Sequence, residues 1–142
     1  HIRKSEARLR ELTPLAKSLG LTIAVKNHLD FTVEEMRDLI QKVNSPNVRV
    51  LFDAGNTIGT LDDPTEAADT LGPLTVATHY KDFAIEEVAR GFRFCMVPLG
   101  CGSLRLREVT ERLLKHVDPD MGMSIEMING QHFGVNWLED RD

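Results

Sequence analysis

Residues 48–82 read VRVLFDAGNTIGTLDDPTEAADTLGPLTVATHYKD, and this stretch decides the fold. Residues 48–52 (VRVLF) are short, mostly apolar and β-branched, as in a buried strand. Asp63-Pro64-Thr65-Glu66 then opens a helix. Asp caps it, and Pro fills the first turn, where a missing N–H costs nothing. Gly72-Pro73 stops that helix, and residues 74–78 (LTVAT) form the next strand. Apolar strands separated by an amphipathic helix predict parallel strands covered on both faces.

The same unit recurs on either side. Upstream, Leu9, Leu12, Ala16 and Leu19 recur at helical spacing, with Pro14 inside the run, so a kink or two pieces is expected. Residues 21–25 (LTIAV) read as a strand. Thr32 and Glu35 form a capping box ahead of the stripe Val33, Met36, Ile40, Val43. Downstream, residues 83–102 read as a long irregular connection, a candidate lid with Gly91, Gly100 and Gly102 as hinges. Ser103 is the expected cap of a helix carrying Leu106, Val109, Leu113 and Val117, and residues 123–127 (MSIEM) are the fourth strand. A short helix is expected around Trp137. Two architectures fit the alternation: an open doubly wound sheet, or part of a (β/α)₈ barrel.

Composition sets the function classes aside from site chemistry. The chain has 142 residues, 42% hydrophobic and 27% charged, with net charge −5. An acidic chain gains nothing from phosphate backbones, so no nucleic-acid partner is expected. No apolar run reaches the length that spans a bilayer, so no membrane partner is expected either. Cys95 and Cys101 read as two reduced thiols, consistent with a cytoplasmic protein.

In both architectures the site lies at the carboxyl ends of the strands. Here every apolar strand turns polar at that end. The first runs into Lys26-Asn27-His28, the second into Asp53, Gly55 and Asn56, the third into His79, Lys81 and Asp82, and the fourth contains Glu126. One carboxylate at a strand end is commonly a helix cap; four coincident polar ends are not explained that way. Asp, His and Glu together suit a divalent metal such as Mg, Mn, Co or Zn. Such an ion polarises a carbonyl and its neighbouring hydroxyl, as ketose–aldose isomerisation and epimerisation require.

The segment from Ala24 to Asp82, with Gly100-Cys101-Gly102 and Glu126, resembles the xylose isomerase-like superfamily of sugar-phosphate isomerases and epimerases. The likeness covers only the second half of that barrel: strands five to eight and the helix before strand five. It implies half of a (β/α)₈ barrel and a longer natural chain, with an N-terminal half-barrel or a second copy as partner. It further implies Asp53, His79 and Glu126 as metal ligands, Glu126 also as an acid/base carboxylate, and a small-molecule sugar substrate. The family pattern places a further Glu where this chain has Lys26. Three readings stay open there. A metal sits on three protein ligands plus water; or Lys26 supplies positive charge to the substrate, as a proton donor of lowered pKa; or metal and catalysis are lost.

His28, Asn56 and Lys81 are candidate substrate contacts. Each has a plain structural alternative: a loop-bonding histidine, a left-handed turn at Asn56, and a rim ion pair of Lys81 with Asp82. Asn129 and His132 follow the fourth strand, where barrels often bind phosphate. The expected activity is a metal-dependent isomerase or epimerase working through an enediol, with keto-polyol dehydration as a close relative. A carbohydrate-binding or regulatory relative without turnover is the alternative. A nuclease of the endonuclease IV branch, which needs many more His and carboxylate ligands, is a distant third.

Overall fold

The computed structural model describes residues 2–127 and 132–136. Helices α1 (Ile2–Ser18), α2 (Val33–Val43), α3 (Pro64–Leu71) and α4 (Leu106–Leu113) alternate with strands β1 (Ile23–Lys26), β2 (Val48–Asp53), β3 (Thr75–Tyr80) and, after the hairpin below, β6 (Met123–Ile125). These four strands form one parallel sheet in the order β1-β2-β3-β6. The order never reverses, whereas a doubly wound sheet reverses at its switch point. An unreversed order with the helices on one face is the geometry of a barrel sector, half of a (β/α)₈ barrel.

Helix starts follow their caps. Thr32 and Glu35 close the capping box at α2, and Asp63 accepts from the N–H groups of Thr65 and Glu66 at α3. The core lies between the helices and one face of the sheet. Met36, Leu39 and Ile40 of α2, Val48, Val50 and Phe52 of β2, Ala68 and Leu71 of α3, and Val109 and Leu113 of α4 form one buried cluster. The opposite face of β2 carries Arg49, Leu51 and Asp53; Arg49 and Leu51 are only half-buried. Lys26 pairs in register with Leu51, and His79 with both Asp53 and Ser124, so all of these share the inward face.

Three expectations are corrected. Residues 83–102 are not an irregular connection: Asp82–Val88 (β4) and Gly91–Val97 (β5) form an antiparallel hairpin, joined by β7 (His132–Asn136) in a second, three-stranded sheet. Ser103 does not cap α4. Its N–H is held by the Phe83 carbonyl at 2.8 Å, and the helix begins only after Arg105, which sits in the left-handed region at φ 39° with no side-chain cap. Of the two alternatives for α1, a kink or two pieces, the second is set aside: it is one continuous helix with Pro14 inside it. The neighbouring Thr13 hydroxyl donates to the Leu9 carbonyl at 2.7 Å. Trp137, Asn129 and the His132 side chain lie outside the described residues, so the expected terminal helix and phosphate contacts do too.

Candidate active site

Four strand ends converge at the carboxyl edge of the parallel sheet. Asp53 ends β2 and is fully buried. Its Oδ1 accepts from the Gly55 N–H at 3.1 Å, which turns the chain into a 3-10 helix and leaves Oδ2 facing the mouth. Oδ2 is buried and has no well-directed hydrogen bond. It is held by charge instead, with Lys81 Nζ at 2.9 Å and Lys26 Nζ at 3.1 Å. Glu126 follows β6, and its N–H continues the ladder by donating to the Tyr80 carbonyl. Glu126 Oε2 receives Lys26 Nζ at 2.6 Å and Lys81 Nζ at 3.0 Å, and His79 Nδ1 lies 3.3 Å away.

The titration behaviour follows from that crowding. The Lys26 hydrogen bond pulls the Glu126 carboxyl down to about 2; burial opposes this, and Lys81 adds to it. For Lys26, burial favours the neutral amine, but the hydrogen bond to Glu126 and the negative charge of Asp53 outweigh it and the pKa rises. Lys26 is therefore a fixed cation at neutral pH and not a proton donor of lowered pKa.

Asp53, His79 and Glu126 each offer a ligand atom within 4.8 Å of the others, as the strand ends predict. That donor set, taken by itself, suits a divalent ion. The lysines do not. Two ammoniums already balance the two carboxylates. A divalent ion roughly 4 Å from an ammonium is repelled by about 8 kcal/mol at an effective dielectric constant of about 20. With Lys26 in this position the residues do not accommodate a divalent ion, which would have to displace that side chain.

The other predicted contacts separate. Lys81 belongs to the cluster, not to a rim pair with Asp82, and its stem crosses Gly55 so closely that a Cβ there would lie 2.3 Å from Lys81 Cγ. Asp82 turns away and accepts backbone N–H groups from Phe83, Gly100 and Gly102 at 2.9–3.0 Å, tying the Gly100–Gly102 loop to the mouth. Asn56 is not in a left-handed turn; it is buried in the 3-10 helix and donates to the Asn27 carbonyl at 2.9 Å. His28 lies outside the cluster, with about half its side chain exposed, 3.6 Å from Asp30.

Asn27 has no assigned role in the sequence pattern, yet it fixes the geometry. Its Oδ1 accepts from the Asp53 N–H at 2.7 Å and its Nδ2 donates to the Asp53 carbonyl at 2.9 Å, clipping the ends of β1 and β2 together. A polar residue immediately after an apolar strand is the available signal.

Comparison with known proteins agrees with this architecture. The family model described as xylose isomerase-like TIM barrel matches residues 1–141. A curated relative, the uncharacterized protein YihM of Escherichia coli K12, is 25% identical over 95 residues, covering 67% of this chain and 29% of its own length. A xylose isomerase domain protein from Planctomyces limnophilus superposes with a TM-score of 0.72 at 23% identity, over 86% of this chain and 45% of that one. The IOLI protein, whose structure holds a zinc atom, gives 0.75 at 19% identity, over 90% and 48%. This chain thus spans about half the length of the solved structures it matches. No helix among the described residues is long and apolar enough to cross a membrane.

Proposed function

This chain belongs to the xylose isomerase-like TIM barrel family, and from that premise we propose that it carries the proton-transfer half of an enzyme acting on a sugar or sugar derivative. The reaction is isomerisation or epimerisation through an enediol, or the related dehydration of a keto-polyol. The observation that supports it is the meeting of Lys26, Asp53, His79, Lys81 and Glu126 at one mouth. Lys26 and Lys81 hold the carbonyl oxygen and its neighbouring hydroxyl and stabilise the negative charge of the enediolate. Glu126 and His79, 3.3 Å apart, move the proton on and off carbon once substrate draws the lysines away from the carboxylate. The strands missing from a closed barrel are supplied, in this reading, by an N-terminal half of the natural chain.

A second reading is a sugar-binding relative without turnover. It is favoured by the crowding of three partners onto Glu126 Oε2 and by its low pKa, which makes it a weak base at rest.

The natural full-length protein, incubated in D₂O with a panel of ketoses, aldoses and keto-polyols, should place deuterium on the carbon next to the carbonyl of at least one, read by NMR. Glu126→Gln should lose that exchange while still binding. Binding without any exchange in the native protein would favour the second reading and overturn the first.

A further inference from the structure

We propose that the ammonium of Lys26 is the resident cation of this site, standing where a divalent ion would sit on the same donor set, so that the site works without bound metal. Lys26 Nζ rests on an oxygen of each carboxylate in the Asp53, His79 and Glu126 donor set, at 3.1 Å from Asp53 Oδ2 and 2.6 Å from Glu126 Oε2. The charge is already closed, because Lys81 Nζ contacts the same two oxygens at 2.9 and 3.0 Å. Two lysines against two carboxylates leave no uncompensated negative charge to recruit an ion from solution.

The backbone makes this arrangement hard to avoid. Lys26 is the last residue of β1, in register with Leu51 of the neighbouring strand, so its side chain starts on the inward face. The next residue, Asn27, is locked to the Asp53 backbone at both ends of its amide, which fixes the end of β1 beside Asp53. Lys81 is confined by the close passage of its stem over Gly55.

An ammonium and a divalent ion recognise substrate differently. The ion binds oxygen by ligand exchange and takes a chelating pair; the ammonium donates hydrogen bonds and tolerates a wider separation. This inference goes beyond the proton-transfer reading and does not rest on it, since a site that binds sugar without turnover would hold Lys26 in the same way.

The test is calorimetric titration of MnCl₂ and of ZnCl₂ into the natural full-length protein, native and Lys26→Glu, after removal of adventitious metal. The native protein should show no one-to-one binding, and Lys26→Glu should bind one ion about 100-fold or more tightly than native. A native protein that binds one ion as tightly as the variant would overturn the proposal. Lys26→Gln removes the charge with little change in length and should fall between the two. Metal analysis of the native protein as purified tests the same point without any titration: no stoichiometric metal is expected, and one equivalent that is lost in Asp53→Ala would contradict the proposal.

Discussion

The two faces of strand β2 differ as much as any two regions of the molecule. Toward the helices, Val48, Val50 and Phe52 are completely buried; toward the opposite side, Arg49 and Leu51 alternate with them and are only half-buried. One face is therefore finished by residues present in this chain, and it supplies the stability. The other is unfinished except at its carboxyl edge, where charges rather than apolar contacts hold the strand ends together. Among the described residues the outer strands of the sheet, β1 and β6, each have one unpaired edge, and β6 is exposed throughout. Such edges are ready to pair with further strands.

The largest effect should come from the finished face. Phe52→Ala leaves a cavity in the helix-side core and should cost about 3–5 kcal/mol in chemical denaturation. Leu51→Ala, one residue away on the unfinished face, should cost less than half as much in this chain. Equal losses would mean that the inward face is already packed, and the comparison would fail.

An intermediate effect is expected where the faces meet. Asn27→Ala strips partners from the buried N–H and carbonyl of Asp53, each costing about 1–3 kcal/mol. Stability should fall and ligand binding should weaken with it, because Asp53 loses its fixed place. Asn27→Asp retains the acceptor for the Asp53 N–H and should restore part of the stability. Unchanged stability in Asn27→Ala would show that the clip does not set the mouth.

The smallest effect belongs to the helical layer. Asp63 caps α3, and Asp63→Ala should cost about 1 kcal/mol at neutral pH. Burial opposes the ionised form of Asp63, but the hydroxyl and N–H of Thr65 and the N–H of Glu66 outweigh it and hold its pKa below the ordinary aspartate value. A depressed carboxylate pKa stabilises the fold above the unfolded value and is lost as pH falls through the folded one. The difference between native and variant should therefore shrink below about pH 4, measured by thermal unfolding across pH.

Much of this is legible in the sequence. Period and punctuation place the four parallel strands within a few residues, and the capping box at Thr32 and the cap at Asp63 mark real helix starts. The site is legible as four strands turning polar at the same end. The hairpin is not. Its strands carry exposed apolar residues such as Ile85, Val88 and Phe92, so no clean alternation separates an inner from an outer face. Ser103 misleads because Asp82 and Phe83 bind the loop backbone first, a contact made across some twenty residues that local propensity does not contain. Asn27 escapes notice for a similar reason: its partners are the backbone of Asp53, and an amide clipped to a distant strand end has no spacing signature.

The most direct test of the two-face account is a crystal structure of the natural full-length chain. The free edges of β1 and β6 should each pair with a parallel strand of the same chain, closing a barrel with Leu51 inside and Lys26, Asp53, His79, Lys81 and Glu126 at its mouth. Edges left bare, or covered by a second copy, would contradict it.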